Sequence, residues 1–255
     1  MTVTELENGQ KAIDALVEKR AKDNSLSDDN AAPIYDGVAD EAAYLNSVQK
    51  VVWLLLEPYD DGNNGGGGWS LPKDVFLNPK PGDFINPTQQ TIAYAMWCAR
   101  NRKSFAEVPS PEVVYPELQS TGWVNISKMP AKTRSNVPQV IKKYKTYWKD
   151  LVEKQIELLA PTVVVIAGQH FNTICDKGVF DGDRGCERTF PETNGLVDYH
   201  PCKNFDVLYA YHPAFWNNQF KNCHRPSLTQ ESYVNSIAQA LIFLERKHSQ
   251  ILPTE

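Results

Sequence analysis

Residues 51–58 read VVWLLLEP, an unbroken apolar run that ends in Glu57-Pro58. A short apolar run closed by a proline is typical of a buried parallel strand whose carboxyl end enters a loop. Similar runs occur as GWVNIS at 122–127, TVVVIAG at 162–168 and DVLYAY at 206–211. Helical patterns lie between them, and strands that alternate with helices indicate an α/β fold. We therefore predict a three-layer sandwich around a central, mostly parallel sheet.

Helices are predicted over residues 88–105, 138–160 and 230–248 from the spacing of their apolar residues. Thr88 is expected to cap the first of them. Residues 5–22 predict a surface helix, and a polar linker follows it. We accordingly divide the chain into an acidic N-terminal helix and linker (1–45) and an α/β domain (46–255).

The net charge of −5 is unevenly distributed. Residues 1–45 contain ten acidic and four basic side chains, a net of −6, so the remainder carries about +1. From Gly122 to Lys149 there are seven basic residues and no acidic one. Such a basic segment favours contact with nucleic-acid phosphates, although it is also a common solvated helix face.

Composition argues against several classes of protein. The chain has no run of about 18 apolar residues, and its first residues lack the apolar stretch of a signal peptide. Its five cysteines form no C-x-x-C pair, which suits free thiols in a reducing compartment. We expect a cytoplasmic monomer with no membrane contact, no metal and no cofactor. A zinc site is an alternative that would draw on Cys186, His200, Cys202, Cys223 and His224.

The loop after the first strand is rich in glycine. Residues 60–64 read DDGNN and lead into the four glycines Gly65–Gly68. Glycine adopts backbone conformations that other residues avoid, so we expect this loop to be mobile unless a ligand or partner orders it. A phosphate cradle is a further interpretation, but the Gly-Lys-Ser/Thr ending of a P-loop is missing.

Three polar residues, Glu57, Asn125 and His212, fall where predicted strands end. The carboxyl ends of parallel strands meet at one edge of a sheet, so these side chains are expected to line one crevice. Polar residues at strand ends also cap helices, which is the structural alternative for each of them.

The order of these motifs resembles that of the uracil-DNA glycosylase superfamily. Leu56-Glu57-Pro58-Tyr59 is similar to its water-activating motif, and Tyr211-His212-Pro213 is similar to its second motif. The stretch from VNISK at 124–128 to VVVIAG at 163–168 is closest to the branch that carries an iron-sulfur cluster. The resemblance covers roughly residues 50–245. It implies a uracil-DNA glycosylase-like fold.

The resemblance also implies an activity, the hydrolysis of the N-glycosidic bond of uracil or a modified pyrimidine in DNA. Glu57 would orient or deprotonate the attacking water and stabilise the cationic sugar, while His212 would donate a hydrogen bond to the leaving base. Asn125 would read the base edge, because an amide offers a donor and an acceptor in one plane. The further candidates for contact with the base are Tyr59, Trp69 and Phe76, with core or lid packing as the alternative for Trp69 and for Phe76.

DNA would be the partner, since a base inside a duplex must be extruded before it can react. Phe215 and Trp216 follow the His-Pro motif and are candidates for the wedge, with core packing as the alternative. The basic candidates for phosphate contact are Lys128, Lys132, Arg134, Lys221 and Arg225.

The chain also departs from the family pattern. Glu57 stands where Asp or Asn is usual, and the cysteines that hold the cluster of the related branch are missing, so we expect no iron-sulfur cluster. The run NNGGGG at 63–68 replaces a compact loop. A wider pocket would suit a hypermodified base such as glucosylated hydroxymethylcytosine, excised in antiphage defence. An alternative from another class is a non-catalytic nucleic-acid-binding protein with this fold, whose acidic N-terminus is a regulatory or DNA-mimicking arm.

Overall fold

A computed structural model of the chain describes residues 1–26, 31–60, 66–80, 86–131, 137–168, 180, 188–189, 196–214 and 228–251. The strands are β1 (Val51–Leu55), β2 (Gly122–Asn125), β3 (Val163–Ala167), β4 (Arg188–Thr189), β5 (Val197–Pro201) and β6 (Asp206–Ala210). The α-helices are α1 (Val3–Asp23), α2 (Glu41–Leu45), α3 (Pro87–Asn101), α4 (Pro111–Val114), α5 (Val137–Lys143), α6 (Lys149–Leu159) and α7 (Gln230–Ile251). Shorter helical segments are the π-helical Leu71–Phe76 and Tyr144–Trp148 and the 3-10 turns Phe105–Glu107 and Tyr115–Leu118.

The strands form one sheet in the order β2-β1-β3-β6-β5-β4. The first four run parallel, with Leu55 of β1 opposite Asn125 of β2. Strand β5 pairs antiparallel with β6, and β4 pairs antiparallel with β5. The prediction of an α/β fold with a mostly parallel sheet is confirmed. The sequence interpretation missed β5, whose residues VDYHP alternate polar and apolar side chains instead of forming an apolar run.

Helices cover both faces of the sheet, because alternate residues of each central strand are buried on opposite sides. Trp53 and Leu55 belong to the core cluster that includes α3 and α7. Val52 and Leu54 belong to a second cluster, shared with α1 and α6. All five side chains of β1 are therefore buried, and the arrangement is compatible with a three-layer sandwich.

Helix α1 packs against α6 and is more than a surface element. Leu6, Ile13, Val17 and Ala21 recur at helical spacing, and all are buried in the core cluster shared with β1. A Cβ placed on Gly9 would lie 2.4 Å from the side chain of Leu158, so the two helices approach closely there. The acidic N-terminal segment thus contributes to the same core as the sheet.

The other predicted helices are found with shifted boundaries. Asn86, not Thr88, caps α3, because its side chain accepts the backbone N–H groups of Thr88 and Gln89. The predicted helix over 138–160 is α5 and α6, joined by a π-helical turn that buries Tyr144 and Trp148. None of the described helices combines the length and apolar character needed to span a membrane.

Candidate active site at the carboxyl edge of the sheet

The four parallel strands deliver the predicted site residues to one edge of the sheet. Glu57 follows β1, Asn125 ends β2 and His212 follows β6. Strand β3 lies between β1 and β6, so two strand spacings, about 10 Å, separate the backbones that carry Glu57 and His212.

The backbone around Glu57 is held on both sides by the chain that follows β2. The carbonyl of Leu56 accepts the Ser127 N–H at 2.9 Å, and the carbonyl of Pro58 accepts the Ala131 N–H at 2.8 Å. Pro58 is buried and restricts Glu57 to an extended backbone. The half-buried Glu57 therefore projects from a backbone that is fixed at this edge.

His212 is a neutral hydrogen-bond donor at physiological pH. Burial disfavours the imidazolium and lowers the pKa of His212 to about 4. The backbone N–H of Ala214 donates to Nδ1 at 3.2 Å, so Nδ1 carries the lone pair. The single proton of the neutral ring is then on Nε2, which is left to donate.

Asn125 is enclosed and tied to the N-terminal segment. Its exposed fraction is 2%, and both its backbone N–H (2.6 Å) and its side-chain Nδ2 (3.3 Å) donate to Oδ2 of Asp36. Asp36 reaches this position because the chain on either side of it runs along β2, with Gly37 and Trp123 exchanging two backbone hydrogen bonds of 2.8 Å. The predicted reader of the base edge thus has a partner 89 positions earlier in the chain.

Lys128 occupies a different place from the one predicted. Its side chain is 1% exposed, and Nζ donates to Oδ1 (2.8 Å) and Oδ2 (2.9 Å) of Asp36 and to Oε1 of Gln155 (2.8 Å). A buried ammonium requires such partners, because desolvation of an unpaired charge is very costly. Lys128 is therefore a buried partner of Asp36 and is inaccessible to a DNA phosphate in this structure.

The aromatic candidates have three different environments. Tyr59 is 60% exposed, and its backbone forms a parallel β-bridge with Ala131. Trp69 is half-buried, and its Nε1 donates to Asp60 at 2.7 Å. Phe76 is 0% exposed and packs in the core, with its ring centroid 5.1 Å from that of Trp123. The structure thus gives Phe76 a core role, the alternative noted for it above, while Tyr59 and Trp69 keep accessible surface.

The described part of the glycine loop is packed against the chain's own N-terminal segment. Gly66 O accepts the Ala32 N–H at 3.0 Å, and Gly68 N–H donates to Pro33 O at 2.8 Å. Gly67 has a φ of +79°, and a Cβ there would lie 1.8 Å from the Ala32 carbonyl oxygen. Asp60 also holds the loop by accepting the Gly67 N–H at 2.9 Å. Residues 32–33 therefore hold Gly66–Gly68 in place, and they are the partner that we expected this loop to need. Gly65 lies outside the described residues.

Most of the predicted DNA-contacting residues lie outside the described residues, namely Lys132, Arg134, Phe215, Trp216, Lys221 and Arg225. Exposed lysines that the sequence interpretation did not select are Lys142, Lys143 and Lys145, on α5 and the π-helical turn after it. Their signal was present in the sequence, because these lysines alternate with the apolar side chains of Val140, Ile141 and Tyr144, which are buried.

Ser127 adds an unfilled hydrogen-bonding group close to Asn125. Its side chain is 1% exposed, and Oγ has no partner among the described residues. Buried hydroxyl groups usually have a partner, supplied by the protein, by water or by a ligand.

The structure describes two of the five residues named for the alternative zinc site. His200 is buried in β5, and Sγ of Cys202 lies 3.6 Å from the carbonyl oxygen of Phe180. Cys186, Cys223 and His224 lie outside the described residues. Within the described ranges no group of three or more His, Cys, Asp or Glu side chains is placed to hold a metal ion.

Compared with known proteins, the chain matches no protein-family model and no curated protein sequence.

Proposed function

We propose that this protein is a DNA glycosylase that hydrolyses the N-glycosidic bond of uracil or a modified pyrimidine and leaves an abasic site. The observation that carries the proposal is the pairing of a neutral His212, with its proton on Nε2, and a carboxylate at Glu57 about two strand spacings away. Heterolysis of a glycosidic bond develops charge of opposite sign on base and sugar, and these two groups complement the two charges.

The proposed reaction begins with cleavage of the bond between C1′ of the sugar and the base nitrogen, whose electron pair leaves with the base. The Nε2–H of His212 would donate to the base oxygen on which negative charge develops. The carboxylate of Glu57 would stabilise the cationic sugar and accept a proton from the attacking water, whose oxygen bonds to C1′. The departing base anion then takes a proton from solvent and Glu57 releases one to solvent, which completes the hydrolysis and restores the carboxylate.

A neutral histidine suits this role better than an imidazolium. A cation held in a buried site must be desolvated before DNA binds, and burial of the His212 ring already disfavours that form. A preorganised neutral donor avoids this cost and still stabilises the oxyanion of the leaving base. The buried amide of Asn125 and the unfilled hydroxyl of Ser127 supply further polar groups for a heterocycle at the same edge.

The test is incubation of the protein with oligonucleotides that each carry one candidate base, followed by alkali, which breaks the strand at abasic sites. The panel contains uracil, hypoxanthine, hydroxymethylcytosine and glucosylated hydroxymethylcytosine, in single- and double-stranded form. We expect strand breaks at one or more of these bases. Binding to the oligonucleotides without any break would contradict the proposal and favour the non-catalytic nucleic-acid-binding alternative.

A further inference from the structure

Asp36 presents only hydrogen-bond acceptors to the Asn125 amide. Its carboxylate is paired through both oxygens with the Lys128 ammonium, and Oδ2 also accepts the Asn125 backbone N–H and Nδ2. A carboxylate has no proton to donate. If the amide turned over, Oδ1 of Asn125 would face Oδ2 of Asp36 with no hydrogen between them. The nitrogen end of the amide is therefore held toward Asp36, and the oxygen end is directed away from it.

Asp36 cannot itself rotate without breaking several bonds. Oδ1 accepts from Lys128 at 2.8 Å and from Gln155 Nε2 at 2.8 Å, while Oδ2 accepts from Lys128 and twice from Asn125. Lys128 and Gln155 are joined in turn by a 2.8 Å hydrogen bond. The side chains of Asp36 and Lys128 are each 1% exposed, so water does not offer substitute partners. Asp36, Asn125, Lys128 and Gln155 thus form a buried network of side-chain hydrogen bonds.

The fixed amide has a consequence for the base that is read. A pyrimidine with a keto group at C4 offers an acceptor at that group and a donor at N3. A pyrimidine with an amino group at C4 offers a donor at that group and an acceptor at N3. An amide whose donor and acceptor ends are fixed is complementary to only one of these two pyrimidines. With the other pyrimidine, donor faces donor and acceptor faces acceptor.

We infer that Asp36 is a positioning residue that selects between keto and amino pyrimidines by fixing the Asn125 amide, an inference that rests on the proposed function. The acidic N-terminal segment then has a role in the site, since it supplies Asp36. Gln10 of α1 extends the network, because its Oε1 accepts from Gln155 Nε2 at 3.3 Å.

The experiment uses the double variant D36N/K128M, which removes both charges together so that neither is buried unpaired. The side-chain amide that D36N introduces can donate as well as accept, so the Asn125 amide is free to turn. Initial rates of base release are measured on the best base of the panel and on its counterpart with the C4 keto and amino groups exchanged. We expect the wild type to prefer one base at least about 100-fold and the double variant to reduce that preference at least tenfold.

The matched control is R20M/D150N, which removes a more exposed ion pair between α1 and α6 and leaves Asp36 intact. It should keep the wild-type preference. A folded D36N/K128M variant with the wild-type preference would overturn the inference while leaving the proposed function standing, as would a wild type that releases both bases equally well.

A second readout does not depend on catalysis. In protein labelled with ¹⁵N-asparagine, the side-chain amide protons of Asn125 should exchange with solvent at least tenfold faster in the double variant than in the wild type. Unchanged exchange would overturn the inference whether or not the wild type releases a base. Failure of the wild type to release any base would count against the proposed function instead. Should the double variant not fold, the wild type decides: the side-chain amide protons of Asn125 should exchange at least about tenfold more slowly than those of the exposed Asn101, and equal exchange would overturn the inference.

Discussion

At the scale of single residues, His212 and Glu57 owe their proposed roles to backbone contacts that set their chemistry. The Ala214 N–H places the His212 proton on Nε2, and burial keeps the ring neutral with a pKa of about 4. The carbonyls of Leu56 and Pro58, on either side of Glu57, are both hydrogen-bonded to the chain after β2. The tautomer of His212 and the backbone around Glu57 are thus set before a substrate arrives, which favours electrostatic catalysis.

Removal of either group should strongly slow catalysis and spare DNA binding. H212A and E57Q are each expected to lower the single-turnover rate of base release by at least about 100-fold, because each removes a group that stabilises transition-state charge. DNA affinity in a gel-shift assay should change less than about threefold. H248Q is the matched histidine control, since His248 pairs with Asp206 at the opposite end of β6. Full activity in either site variant would contradict the assigned roles.

The raised pKa of Asp14, on α1, leads us to expect that the stability of the protein depends on pH. Burial, opposed by a hydrogen bond from Gln10, raises the pKa of Asp14 from 3.8 to about 6. The folded state therefore binds the proton more tightly than the unfolded state, and the stability from this group falls as pH rises from about 4 to 6. D14N keeps an acceptor for Gln10 and should raise the free energy of unfolding by about 1 kcal/mol at pH 7, after allowance for solvent screening. Urea titrations at pH 4 and pH 7 measure this, and an equal effect at both would contradict it.

Lys128 illustrates the limit of sequence reasoning for single residues. Its position in a basic segment suggested phosphate contact, but its partners Asp36 and Gln155 are 92 and 27 positions away. Nothing in the local pattern indicates such long-range pairing. The environments of Phe76 and Asn125 likewise depend on contacts with residues far away in the sequence, Trp123 and Asp36 respectively.

At the scale of elements, the strands with continuous apolar runs could be predicted, because burial on both faces leaves no polar alternation to interpret. This applies to β1, β3 and β6. Strand β5 escaped prediction because its residues alternate, and β4 is only two residues long. Helix α1 was predicted, but its packing on α6 was not, since an amphipathic pattern does not name the surface it covers.

The glycine loop provides a prediction at this scale. G67A should destabilise the protein by at least about 2 kcal/mol more than G68A, because both positions have positive φ but only a Cβ at Gly67 overlaps a backbone atom. At Gly68 the nearest atom to such a Cβ is 3.5 Å away. Thermal or urea unfolding of both variants measures the difference. Equal stability would mean that residues 66–68 do not pack on residues 32–33.

At the scale of the whole molecule, the net charge of −5 conceals a division between an acidic N-terminal segment and a basic segment after β2. Described residues of both segments pack in the core cluster that contains α1, α5 and α6. The exposed Lys142, Lys143 and Lys145 give α5 and the π-helical turn after it a basic surface. We propose that DNA phosphates contact this surface.

Charge reversal at these three lysines tests that surface. K142E/K143E/K145E should weaken binding to all DNA sequences alike and flatten the dependence of log affinity on log salt by about 2–3, near 0.9 for each lost phosphate contact. The measurement is fluorescence anisotropy over a salt series. R246E, on the exposed face of α7, is the control and should keep the wild-type slope. A triple variant with the wild-type slope would show that DNA binds elsewhere.

Glycosidic bond hydrolysis itself is measured by chromatographic detection of the free base released from the best oligonucleotide of the panel. It is made with equal amounts of wild type and the double variant E57Q/H212A. We predict one free base per abasic site from the wild type and none above background from the variant. Intact oligonucleotide after incubation with the wild type, or equal release by both proteins, would contradict it.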